Sequence, residues 1–223
     1  MATKVKKQEE NAVVEESFTK VGKWIIDNQN KLMGCLIAIL LVVICVMAFN
    51  TYYRKPREAA ANEQVAKAVV YFSAQDYEKA LNGDEAECIG FEQVANQYKH
   101  YQPGRLAALY AGICYYELGD YESAAPYLKR FKAQDLNVSP AAAQLLGDTY
   151  VELEDYPHAL KAYRAAAKTG NELIAPMSLK KAGLVYLKLE DKDAAKAVFT
   201  AIKNNYPTSM EAQDIDKYIS IAE

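Results

Sequence analysis

The chain has 223 residues, 51% of them hydrophobic and 25% charged, with a formal net charge of −3. Pro and Gly are sparse, Ala and Tyr are abundant, and alternating strand-like runs are hard to find, so the composition points to an all-α chain. From Glu58 onward, 17 Lys and Arg face 24 Asp and Glu, a balance of −7 that argues against nucleic acid as a partner.

Met1 to Glu16 is polar and mixed in charge and reads as disordered. Phe18, Val21, Ile25 and Leu32 then recur at helical spacing, with Lys20, Lys23, Asp27 and Asn28 between them. Periodicity alone fits this segment, Phe18–Asn30, equally to a solvated helix and to an amphipathic helix in the headgroup layer of a membrane; Trp24, Tyr52 and Tyr53 favour the second. Leu32 to Phe49 carries no charge over 18 residues, and eleven of these are Leu, Ile, Val or Phe. As a helix it is roughly 27 Å long, close to the ~30 Å hydrocarbon core of a bilayer. Trp24 before it, and Tyr52, Tyr53, Arg54 and Lys55 after it, have the chemistry of membrane-interface anchors. The expected layout is a tail with an interfacial helix (1–31), a transmembrane helix (32–50) and a soluble domain (51–223), with the exit helix broken at Pro56. Leu32-Met33-Gly34-Cys35 looks like a lipoprotein box but precedes the apolar run, and no signal-peptide cleavage site follows that run. Basic residues balance across the span: Lys20, Lys23 and Lys31 before it, and Arg54, Lys55, Arg57 and Lys67 after it. Charge therefore does not orient it.

Beyond the span a repeat begins. Gly112, Gly147 and Gly183 are spaced 35 and 36 residues apart. Each is followed at three residues by Tyr (Tyr115, Tyr150, Tyr186), at twelve by Ala (Ala124, Ala159, Ala195) and at sixteen by Leu128, Tyr163 or Phe199. Asp120, Asp155 and Asp191 stand where they can cap the second helix of each unit. These residues and spacings resemble the tetratricopeptide repeat. An earlier, damaged unit keeps Ala68, Tyr71 and Ala80, and its Phe91, Val94 and Tyr98 match Phe199, Ile202 and Tyr206. Seven inserted residues around 82–90 interrupt its second helix. Thr208-Ser209-Met210-Glu211 reads as a capping box opening a terminal helix with Ile215, Tyr218 and Ile219, the lid that a solenoid needs.

No phosphate-binding loop, catalytic elbow, zinc-protease motif or dinucleotide fingerprint is present, and His100 and His158 have no nucleophile beside them. No enzyme activity, metal, cofactor or small-molecule substrate is expected. Cys35 and Cys45 lie in the span; Cys88 and Cys114 have no short spacing, which leaves their pairing open. The tetratricopeptide resemblance implies a concave protein-binding groove at Leu109, Ile113, Tyr116 and Glu117, then Gln144, Asp148, Val151 and Glu152, then Lys180, Leu184, Leu187 and Lys188. That groove is apolar at both ends and acidic in the middle, suited to a segment with apolar anchors and basic residues between them. The chain's own terminal helix is an alternative occupant of part of it.

Tail, amphipathic segment, span and repeats in this order resemble the YfgM-type family of bacterial inner-membrane proteins. The resemblance implies a cytoplasmic N-terminus, a periplasmic repeat domain and an ancillary role at the Sec translocon. The implied partners are translocon subunits, a PpiD-type chaperone and secretory chains. A general cell-envelope scaffold and a cytosol-facing docking receptor are the competing readings.

Overall fold

The computed structural model describes residues 22–84, 87–131 and 135–223. Phe18 and Val21 of the expected interfacial stripe lie outside these. Among the described residues every regular element is helical. The chain divides into two compact units, with the boundary between Pro56 and Arg57.

In the first unit, residues 22–27 are helical, and the Asn28 side chain donates to the Trp24 carbonyl at 3.0 Å. Helix α1 (Gln29–Phe49) follows, long and apolar enough to cross a membrane, and none of its side chains is buried. A five-residue π-helical turn, Asn50–Arg54, joins it to α2 (Lys55–Ser73). Here the expectation of a break at Pro56 is corrected. A proline inside a helix removes one N–H and its ring collides with the carbonyl four residues back. The wide turn just upstream, in which Lys55 N–H donates to the Asn50 carbonyl, is a common way for a helix to absorb such a local misfit without ending.

The second unit is a row of helical hairpins. Their first helices are α2, α5 (Gln102–Glu117), α7 (Val138–Glu152) and α9 (Ile174–Lys188). Their second helices are α6 (Tyr121–Arg130), α8 (Tyr156–Ala167) and α10 (Lys192–Asn205), while α2 is followed by the pair α3 (Tyr77–Asn82) and α4 (Gly90–Gln97). The hairpins share one turn. Each first helix ends with an Asp N–H donating to the tyrosine carbonyl five residues earlier: Asp76 to Tyr71, Asp120 to Tyr115, Asp155 to Tyr150 and Asp191 to Tyr186, at 2.8–3.0 Å. This is the Schellman closure, and it requires a left-handed residue just before the Asp. Those residues are Gln75, Gly119, Glu154 and Glu190, with φ of 61°, 80°, 55° and 60°. The same Asp then caps the second helix, accepting from the backbone N–H of Lys79, Ser123, His158 or Ala194. One residue closes one helix and opens the next. Asp76 belongs to this set, and the Asp76-Tyr77 pair, repeated at Asp120-Tyr121 and Asp155-Tyr156, signals it in the sequence.

Close packing explains the glycine column. A Cβ on Gly147 would stand 2.5 Å from the Tyr163 ring, one on Gly112 2.7 Å from Leu128 Cγ, and one on Gly183 2.6 Å from Phe199 Cζ. Phe199 and Phe91 are fully buried at the same place in their units. The insert does split the second helix of the first hairpin. It is tied down: Asp84 accepts from Glu87 and Cys88 N–H, the Tyr71 hydroxyl donates to Asp84, and Ile89 N–H donates to Gln64. Cys88 and Cys114 are buried free thiols in the core of this first half, and burial pushes the Cys114 thiol up to about 12.

At the far end, Glu211–Asp214 forms a 3-10 turn before α11 (Ile215–Ile221). Ser209, rather than Thr208, makes the capping bond, accepting from Ala212 N–H at 3.2 Å. Ile215 is buried, and the Tyr218 ring lies 5.5 Å from that of Phe199. The apolar core runs in two large clusters, one from Ala61 to Cys114 and one from Ala159 to Ala222. Between them lies a smaller apolar cluster of Leu109, Leu128 and Ala142, with Ile113, Phe131, Leu145 and Leu146 partly buried against it.

Candidate functional site

The first helices of the hairpins carry all twelve residues named for the groove, and the structure treats them unequally. Leu109 is only 6% exposed and, with Ile113, packs into the smaller apolar cluster. Val151 and Leu187 are half-buried against the C-terminal core. Polar members bridge neighbouring helices. Gln144 accepts from the Ser178 hydroxyl at 2.9 Å. Asp148 accepts from the Tyr163 hydroxyl at 2.6 Å and pairs with Lys181 at 2.6 Å. Lys180 pairs with Asp214 at 2.7 Å and sits 4.6 Å from the centre of the Tyr218 ring, so the terminal segment holds it. Lys188 lies over Tyr156, 5.0 Å from the ring centre.

What remains open is Glu117, Glu152 and Leu184, all exposed, with Tyr116 half-buried beside Glu117. Tyr116 touches the Tyr121 ring, and its phenol is held above its ordinary range first by burial and then by the charges of Asp148 and Glu152. Those two carboxylates stand on the next hairpin. The Tyr163 phenol is likewise pushed well up by burial, reinforced by its bond to Asp148. No group here has a nucleophile–base geometry, and among the described residues no three His, Cys, Asp or Glu are placed to hold a metal.

On the opposite side, sequence reasoning missed a cleft. It has a volume of about 670 Å³ and lies between α6 and α8, floored by α7. Leu128, Phe131, Pro140, Leu146 and Ala162 line it, and Lys129 and Lys161 stand at its rim. It opens beside the small Leu109–Leu128–Ala142 cluster, with Leu128 and Ala142 among its walls. Spacing arguments built on the regular repeat carry no signal for it.

Tetratricopeptide-repeat family profiles match residues 106–135 and 145–210. The fold is an all-α tetratricopeptide solenoid. The matched residues take in α5 with α6, and most of α7 through α10, the same hairpins that the Gly–Tyr–Ala columns delimit. A solved structure titled "Crystal structure of MamA" is similar at 20% identity and a TM-score of 0.43, over 59% of this chain and 86% of its own. No curated protein matches the sequence. Tetratricopeptide arrays are protein-interaction scaffolds, and this chain carries one.

Proposed function

We propose that the chain is a membrane-anchored tetratricopeptide scaffold, with residues 32–50 spanning the bilayer and residues 51–223 binding other polypeptides without performing a reaction. The observation that carries the binding reading is the run of exposed Glu117, Glu152 and Leu184, with half-buried Tyr116, along the first helices of three successive hairpins. An acidic face with apolar neighbours, built on rigid helices, suits a peptide segment with basic residues between apolar anchors. Leu109 and Lys180 are used internally, so the open part of the groove is narrower than the twelve residues named from the repeat.

The finer assignment follows the sequence resemblance. The N-terminus is cytoplasmic, the repeats are periplasmic on a bacterial inner membrane, and the partners are translocon subunits, a PpiD-type chaperone and emerging secretory chains. Photo-crosslinking from positions 116 and 184 in native membranes tests it directly. Capture of translocon or chaperone subunits is the expected result. Recovery of neither there, nor by co-purification in mild detergent, overturns the translocon role. Protease added to intact spheroplasts digests a periplasmic repeat domain; protection until permeabilisation means that it faces the cytosol.

A further inference from the structure

The two edges of the hairpin row differ in charge and polarity. One edge holds the turns from first to second helices (73–80, 117–123, 152–158 and 188–194), with eleven acidic residues against three basic. The other holds the turns from second helices back to first ones. Its described residues in 96–105, 129–138, 164–174 and 203–214 carry seven basic against four acidic. Of the acids, Asp214 is paired with Lys180, and Asp135 is bonded to the Asn137, Val138 and Ser139 N–H groups; of the bases, Lys203 is paired with Asp216, and Arg130 donates to Asn96 and the Ala95 carbonyl. Glu172 and Glu211 have no such bonds.

Large apolar side chains also project from this basic edge. Leu136, Leu173 and Met210 are 70%, 67% and 78% exposed, and Val138 is 46% exposed. They are neighbours. The Asn171 amide donates to the Leu136 carbonyl at 2.7 Å and to Asn137, stitching one turn to the next. Leu173 and Met210 line one cleft. Each apolar tip thus comes from a turn held by its own hydrogen bonds, while Lys129 and Lys168 stay in solvent beside them. α2 ends at the acidic edge with the same closing turn as α5, α7 and α9.

We propose that this basic, apolar-tipped edge rests on the anionic headgroup surface of a membrane. The inference builds on the reading that residues 32–50 span the bilayer. Apolar tips gain by entering the headgroup–acyl boundary, lysines beside them meet lipid phosphates, and the acidic edge is repelled to the far side. The tether keeps the edge within reach, so weak surface contacts suffice. The peptide-binding face of the first helices stays clear of this contact.

The test uses the full chain in nanodiscs, with Cys35 and Cys45 replaced by Ala so that one polarity-sensitive dye can be attached at a time, at Leu173→Cys, Met210→Cys or Leu189→Cys. Leu189 is 46% exposed on the acidic edge and serves as the reference. Incorporation of the chain into discs reads the span, independently of the edge. In discs with about one-third phosphatidylglycerol, dyes at 173 and 210 are expected to shift to the blue and to be quenched several-fold more by lipid-borne spin labels than the dye at 189. Neutral phosphatidylcholine discs, or Lys129→Glu with Lys168→Glu, should remove most of that difference. Equal, water-like behaviour at all three sites in anionic discs overturns the proposal and leaves the edge free for a protein. Failure to enter discs overturns the span instead.

Discussion

Gly183→Ala puts the packing argument to a quantitative test. In an exposed helix this substitution stabilises by about 1 kcal/mol, because alanine is the better helix former. At position 183 the new methyl meets the Phe199 ring, with Cζ only 2.6 Å away. Phe199 is fully buried, so its ring has nowhere to turn. Overpacking of a filled core costs ~1–3 kcal/mol. A clash this close belongs near the upper end, leaving a net loss of about 1–2 kcal/mol. For a chain of this size that lowers the melting temperature by roughly 2–8 °C. Thermal unfolding of the detergent-solubilised chain followed by far-UV circular dichroism reads it. The double variant Gly183→Ala/Phe199→Leu should recover part of the loss, because the smaller side chain frees the room the methyl needs. A single variant as stable as the parent, or more so, would mean that the glycine column is not a contact column.

The left-handed turn residues give the opposite sign. Glu154→Gly and Glu190→Gly should each stabilise by ~0.5–1 kcal/mol, since Gly adopts positive φ at no steric cost, as Gly119 already does. Chemical denaturation checks this, and a loss of stability would refute it. Asp120→Ala removes the acceptor for Ser123 N–H and should cost about 1 kcal/mol, with Asp120→Asn costing far less. Asp135 is held down to about 2 by the Ser139 hydroxyl first, and then by the N–H groups at the start of α7. Its folded value lies below the unfolded one, so its contribution is complete above about pH 4 and is lost as pH falls toward 2. Asp135→Asn should therefore flatten the stability–pH curve in that window, measured as urea midpoints from pH 5 to 2. Lys181→Met leaves Asp148 half-buried with only Tyr163 as partner. A double-mutant cycle with Asp148→Asn should return a coupling of ~1–2 kcal/mol, above that of exposed pairs.

Much of the fold was legible because its determinants are local. Gly147 and Tyr163 lie sixteen residues apart and touch, and Asp155 caps a helix that starts at the next residue. The seven-residue insert was visible as a shift of Phe91 out of register. Pro56 misled because a proline's effect depends on whether the preceding turn can widen, and the sequence around Asn50 does not announce that. The face of the first helices was legible as a set of positions, but not in its use. Leu109 is taken up by packing against Leu128 and Ala142 of the following helices, and Lys180 is held because Asp214 arrives from the terminal segment 34 residues later. The cleft over α7 is lined by residues of three helices, most of them at positions outside the Gly–Tyr–Ala columns, so the repeat spacing does not point to it.

The small cluster around Leu109, Leu128 and Ala142 has a mechanical consequence. Hairpin arrays gain stability from nearest neighbours, so the weakest junction sets how far order spreads along the row. Here it divides the array into an N-terminal block built on Phe91 and a C-terminal block built on Phe199, each with its own aromatic keystone. The two halves can thus loosen in turn rather than together, the half carrying the terminal helix holding its shape while the half built on Phe91 yields.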